Sequence, residues 1–344
     1  MLIQTGPIEE KPRLYNFKLI ELSDIEKMNN FLNKVYPSFF DYFELVKFIH
    51  CGYRSIIYTG KTKSSDELYC FKFCFQNFLV VNDYLDIMNQ TLLHSRNISE
   101  IKVINKINNT DYFIVSEYGQ YRDLEYFMIK FIKTNYLSET FINYIAKQIL
   151  DGLNYMQSKH IIHMNIKESK IILDSELNAK LIDFSTSLSF NNNQPDNIIQ
   201  IPIIGDGYYI PPEILSKKNI ESIDKYKIDI YSLGVTLYHL SFGFYPFGLN
   251  NIKRDDYENI AERVNNSNLE FPNNVNISNS FKIFLANILD KDYKKRYNIR
   301  EALEDKWING WDIINEEKEN NGINENFILK LIKDNIPKFS NYIK

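Results

Sequence analysis

The chain has 344 residues, 44% of them hydrophobic, a formal net charge of −4 with both signs scattered, and three cysteines. That length supplies a sizeable core, either in about two domains or in one two-lobed domain with flanks. The charge balance speaks against a nucleic-acid or anionic-membrane partner, and three cysteines cannot build a disulfide framework, which points to a reducing, cytoplasmic compartment.

At the start of the chain, Glu9 and Glu10 interrupt any apolar run, so no secretory signal is expected, and Leu2 excludes N-myristoylation. Residues 20–35 place Ile20, Leu22, Ile25, Met28, Phe31, Leu32 and Val35 at helical spacing, and Ser23 with Glu26 reads as a capping box. From residue 43 the pattern changes to short β-rich runs over 43–49, 55–58 and 68–75, punctuated by Gly52 and Gly60. A helix over about 83–93 follows, then a strand pair ending at 112–117. Cys70 and Cys74 have no second cysteine pair or histidine cluster to complete a zinc site.

Beyond residue 124 the chain reads as mostly helical. Its longest amphipathic stretch covers 139–158, with Phe141, Ile145, Ile149, Leu153 and Met156 on one face. Further helices are expected over 228–240 and 281–289. The most apolar stretch, 233–249, is broken by His239 and Pro246, so no membrane span is expected. A β-rich first part and a helical second part imply two lobes joined near 116–120.

Several motifs follow one another in a fixed order. His163-Met164-Asn165-Ile166-Lys167-Glu168-Ser169-Lys170 has the frame of H-R-D-x-K-x-x-N, and Asp183-Phe184-Ser185 that of D-F-G. Tyr69-Cys70-Phe71-Lys72 stands like V-A-I-K, Tyr209 to Glu213 like Y-x-A-P-E, and Asp229 to Gly234 like D-x-W-S-x-G. Over roughly 43–309 the chain therefore resembles the eukaryotic protein kinase family. Its ending, Ala302-Leu303 through Trp307-Ile308, is similar to that of calcium/calmodulin-dependent kinases, the CAMK group.

The resemblance implies an α+β, bilobal, protein-kinase-like fold with a β-rich N-lobe (41–118) and a helical C-lobe (119–310). An N-terminal helical extension (1–40) and a junction-like tail (311–344) flank them. It also implies a nucleotide site built from Gly52, Ile57, Cys70, Lys72, Ser116, Glu117, Tyr118, Lys170, Ile172 and Asp183. Asp183 would be the one surviving metal ligand, for one Mg2+ at most. Asn165 and Lys167 hold the catalytic positions.

Within that frame the departures sort by role. Asn165 puts a neutral amide where a carboxylate would accept the substrate proton, a group typically worth about 10²–10⁴-fold in rate. Lys170 puts an ammonium where a neutral side chain would hold a second Mg2+. Even two unit charges about 4 Å apart repel by about 4 kcal/mol at an effective dielectric near 20. Met164 removes an Arg, Asp206 replaces a Thr, and Ser185 replaces a Gly that would have freedom at positive φ. Only Gly52 survives of the glycine loop, which taken alone reads as an ordinary hairpin turn. Lys72 reads as a phosphate contact in a buried strand more than as a solvated edge residue. No Glu follows to pair with it; Asp86 either makes that pair or it is not made, and Asp83 and Asp86 read equally well as solvated.

The expected function is thus that of a pseudokinase acting by partner binding or allostery, with weakened ATP and Mg2+ binding and no other cofactor. The alternative is a low-activity Ser/Thr kinase using the ATP γ-phosphate. The expected partner is a protein, an active kinase or a calmodulin-like one. The tail, with Ile328, Leu331, Ile332, Ile336, Phe339 and Ile343 among lysines and a kink at Pro337, reads as a calmodulin-target or pseudosubstrate helix, or as one packed on its own lobe.

Overall fold

The computed structural model describes residues 22–52, 55–75, 90–108, 111–131, 137–190, 201, 203, 205–216, 224–273, 275 and 277–309. Most of the helix expected over 83–93, with Asp83 and Asp86, and the tail at 311–344 lie outside them. Two compact units are present: residues 1–94 with 99–118, and residues 95–98 with 119–344. Among the described residues no helix is long and apolar enough to cross a membrane.

The first unit opens with α1 (Ile25–Val35) and α2 (Phe39–Tyr42). The strands β1 (Phe43–Cys51), β2 (Ser55–Thr62), β3 (Leu68–Cys74), β4 (Ile101–Lys106) and β5 (Tyr112–Glu117) follow. They form one antiparallel sheet in the order β1-β2-β3-β5-β4. The expected cap needs correcting. α1 begins at Ile25, and Asp24, not Ser23, caps it, its carboxylate accepting from the Glu26 and Lys27 amides at 2.9 and 3.0 Å. A carboxylate there serves both the orphan N–H groups and the positive end of the helix dipole.

Alternation along the strands decides what the sheet buries. Ile56 and Tyr58 on β2, Phe71 and Phe73 on β3, and Phe113 and Val115 on β5 turn to one face, where Met28, Phe31 and Leu32 of α1 and Phe39 of α2 cover them. Phe39 sits at the middle, its ring 5.3–5.9 Å from those of Phe43, Phe71, Phe73 and Phe113. The Tyr58 hydroxyl donates to the Leu22 carbonyl and ties the segment before α1 to the sheet. Gly60 is required here, because a Cβ would lie 2.6 Å from both the Glu44 carbonyl oxygen and the Phe71 ring.

The second unit is mainly helical: α3 (Leu124–Phe131), α4 (Glu139–Ser158), α5 (Pro212–Leu215), α6 (Lys227–Phe242), α7 (Tyr257–Asn266), α8 (Asn279–Ile288), α9 (Ile299–Glu304) and α10 (Lys306–Asn309). Short strands β6 (Ile161–Ile162) and β9 (Leu188–Ser189) pair with each other, as do β7 (Ile171–Leu173) and β8 (Ala179–Leu181). α4 has the bounds its periodicity predicts, with the whole expected apolar face buried and Ser138 capping through the Phe141 amide. α6 is apolar on all sides and almost entirely buried, as a helix through the middle of a unit must be.

Candidate functional site

The loop carrying Asn165 is built on α6. Asp229, in the first turn of that helix, is 2% exposed and accepts from the His163 amide at 2.7 Å and the Met164 amide at 2.8 Å. Burial pushes Asp229 up to about 6 against those two hydrogen bonds. The His163 ring is fully buried, 3.1 Å from the Ile182 carbonyl and 4.9 Å from the Phe184 ring. Only an N–H can face that carbonyl, so Nε2 carries the proton. Burial holds the imidazole neutral, lowering it from 6.5 to about 4. Backbone and aromatic packing thus fix the loop at 163–170 against the segment at 182–184.

On that frame Lys170 and Asp183 meet. The Lys170 ammonium donates to the Asp183 carboxylate, and both side chains are only about one-fifth exposed, at 21% and 20%. Asp183 lies in the left-handed region at φ 63°, as does Met164 at 67°. Ser185 does not, so the expected penalty of losing a glycine there is absent in this conformation.

Lys167 meets a carboxylate too. Its ammonium is 3.8 Å from Asp206, a side chain that is itself 6% exposed. Asp206 also accepts from Arg254 at 2.7 Å and caps the short 3-10 turn Gly207–Tyr209 through the Tyr208 amide. The loop it belongs to passes close to Asn165: a Cβ on Gly205 would lie 3.5 Å from the Asn165 amide oxygen. Gly207 is needed for close approach, since a Cβ would fall 2.7 Å from the Arg254 carbonyl oxygen.

A chain of polar groups continues from there. Arg254 donates to the Tyr245 hydroxyl at 2.9 Å, and the Tyr245 ring stacks on His239 at 4.3 Å. His239 donates from Nδ1 to the buried Glu168 carboxylate at 2.8 Å, and the Tyr209 hydroxyl donates to the other Glu168 oxygen at 2.6 Å. Burial first, and Glu168 second, hold the Tyr209 phenol well above its usual 10, so it stays a donor. Glu168, His239, Tyr245 and Arg254 are residues that motif reading passes over. The available signal was weak: an acid at position 168 in a loop that is polar already, and a His in the apolar run of α6.

Glu213 and Arg296 form a buried ion pair that braces the second unit. Arg296 is fully buried and forks onto Glu213 with 2.7 and 2.9 Å bonds, over the Tyr231 ring at 4.8 Å. Ile172 lies on β7, nearly buried, so close to Gly119 that a Cβ there would fall 2.8 Å from its own.

In the first unit, the face of the sheet opposite the aromatic core carries four of the predicted nucleotide-binding residues. β3 sets Lys72 opposite Ile57 of β2 and Cys70 opposite Ser116 of β5, so all four side chains share that face. Glu117 accepts from the Glu100 amide at 3.1 Å, and Tyr118 follows at the end of the strand. Gly52 closes a turn, its amide donating to the Ser55 carbonyl at 2.8 Å, and a Cβ there would meet nothing nearer than 3.5 Å. Its geometry is that of an ordinary hairpin residue.

Comparison with known proteins gives this arrangement its family. Curated relatives include the "Serine/threonine-protein kinase par-4" of Caenorhabditis briggsae, 31% identical over 164 residues, 48% of this chain and 24% of that protein. The "Cell cycle serine/threonine-protein kinase CDC5/MSD2" of Saccharomyces cerevisiae is 32% identical over 174 residues, 51% of this chain and 23% of that protein. This chain therefore spans about a quarter of the length of those two relatives. It aligns more fully with the "Serine/threonine-protein kinase SRK2F" of Arabidopsis thaliana, at 27% identity over 82% of this chain and 79% of that one. Kinase domains in general bind ATP and Mg2+. The family model for the "Protein kinase domain" matches residues 43–308, well over half the chain, and with a sheet in one unit and helices in the other the chain belongs to that family.

Proposed function

We propose that this kinase domain is a pseudokinase, CAMK-like in its ending, that acts by binding and positioning a protein partner. The observation that carries the reading is the state of positions 165 and 170 in the 163–170 loop. Asn165 offers an amide where proton abstraction needs a base, and the Lys170 ammonium lies on the Asp183 carboxylate where a metal would be held. The residues that hold the second unit together, Glu213, Asp229, Gly234 and Arg296, are all retained and engaged. Ile57, Cys70, Lys72 and Ser116 are proposed to keep nucleotide affinity, and an active kinase or a calmodulin-like protein is the partner class proposed.

One observation favours a second reading, a slow Ser/Thr kinase. The Asp206 carboxylate lies 3.8 Å from Lys167 in a loop that passes close to Asn165. A loose phosphoryl-transfer transition state asks more for positioning than for a base, so a displaced carboxylate would sustain slow turnover. The two readings separate in a radiolabelled phosphate-transfer assay on the purified chain beside Lys72→Ala and Asp206→Asn. The pseudokinase reading expects incorporation at background in all three. Transfer by the wild type that both variants lose would establish the slow enzyme.

A further inference from the structure

Lys170 and Asp183 meet because the backbone makes them neighbours. β7 and β8 pair antiparallel with Ile171 opposite Leu181, and the Ile182 amide donates to the Lys170 carbonyl at 3.0 Å. One step further along the ladder, Asp183 turns through the left-handed region at φ 63°, while Phe184, 2% exposed, is locked against the His163 ring. Neither residue reaches the other by a long flexible excursion. The position that brings a metal ligand to Asp183 in an active kinase here brings a cation instead.

The chemistry of the donor set disagrees with Mg2+. That ion demands about six oxygen ligands at about 2.0–2.1 Å in near-octahedral order. An ammonium contributes no lone pair, and its positive charge repels a divalent ion in a partly dry site. The ammonium itself meets the electrostatic need of the carboxylate, with one charge and three donors.

We propose that Lys170 is a built-in cation that takes the metal's place on Asp183, so that the fold carries its own counter-charge and takes up no Mg2+ there. The idea rests on the family role proposed above for Asp183. It differs from the pseudokinase reading in what it forbids: divalent metal at this carboxylate, whatever the rate of phosphate transfer.

The test is thermal unfolding of the full chain with ATP in EDTA and ATP with Mg2+, for the wild type and Lys170→Asn. Mn2+ binding followed by electron paramagnetic resonance runs beside it. In the wild type, Mg2+ is expected to add nothing to the ATP response, and Mn2+ to stay free. In Lys170→Asn, Mg2+ is expected to strengthen ATP binding by about tenfold or more, an ordinary size for coupling between linked sites, and Mn2+ to bind. A wild type that ignores ATP altogether beside a variant that binds it with Mg2+ also supports the proposal. An ATP response in the wild type that needs Mg2+, or a variant whose metal response equals the wild type's, overturns it. Lys170→Gln serves as a second variant should Lys170→Asn fold poorly. Either overturning result leaves the pseudokinase reading standing, because phosphate transfer decides that one separately.

Discussion

His163 and Asp229 are bound to each other through the backbone, and burial pulls their titrations in opposite directions. His163 is held near 4 in the folded chain against an ordinary 6.5, so between those values the unfolded chain binds a proton that the folded chain refuses. Stability from this group is full above pH 6.5 and is lost as the pH falls toward 4. Asp229 runs the other way: raised to about 6 from 3.8, its folded form holds an extra proton in that window and gains stability as the pH falls. The two nearly cancel in the wild type between pH 4 and 6. His163→Phe removes one of them. The stability of the wild type relative to this variant should drop by roughly 3 kcal/mol between pH 7 and 4, read from urea unfolding at each pH. A difference independent of pH would mean that the ring is not kept neutral. At this scale the sequence was legible where motif spacing fixes a residue's place, as for Lys72, expected in a strand and found on β3. It was mute where the role depends on rotamer and neighbour. Position 170 reads only as an ammonium at a metal-ligand place, and it is the β7–β8 ladder that brings it beside Asp183. Asp206 read as a lost Thr, whereas its contacts with Lys167 and Arg254 make it a junction between loops distant in sequence.

Elements with a strong period came through well, and those whose ends depend on one side chain did not. α4 matches its predicted bounds because a 20-residue amphipathic face leaves little freedom. α1 starts at Ile25 instead of residue 20 because Asp24 competes for the cap and wins, a choice between adjacent polar residues that hydrophobic spacing does not register. α2 has four residues, too few for any period to mark, yet it delivers Phe39 to the centre of the aromatic cluster. Phe39 is fully buried and contacts rings from β1, β3 and β5. Phe39→Ala should therefore cost about 3–5 kcal/mol, the usual range for truncating a core Phe, and a loss under about 1 kcal/mol in chemical denaturation would show that the cluster closes without it.

For the whole molecule, the family's limits and the fold's limits differ. The kinase match begins at residue 43, but among the described residues the core of the first unit reaches back to Leu22. Leu22, Met28, Phe31, Leu32 and Phe39 are each 5% exposed or less and cover the sheet face formed by Phe71, Phe73 and Phe113. Each such side chain contributes about 1.5–3 kcal/mol on burial. Five together approach 10 kcal/mol, the order of a whole domain's stability. Removing residues 1–42 should thus unfold the sheet of the first unit and not merely loosen it. The second unit has its own core around α4 and α6. Hydrogen exchange on the shortened chain should accordingly find the β3 and β5 amides exchanging at close to unfolded rates while those of α4 and α6 remain protected. The urea m-value should fall in step with the smaller surface left to expose. Protected β3 amides in the shortened chain would mean that the sheet stands without its helical cover, and that the kinase match alone marks the folding unit.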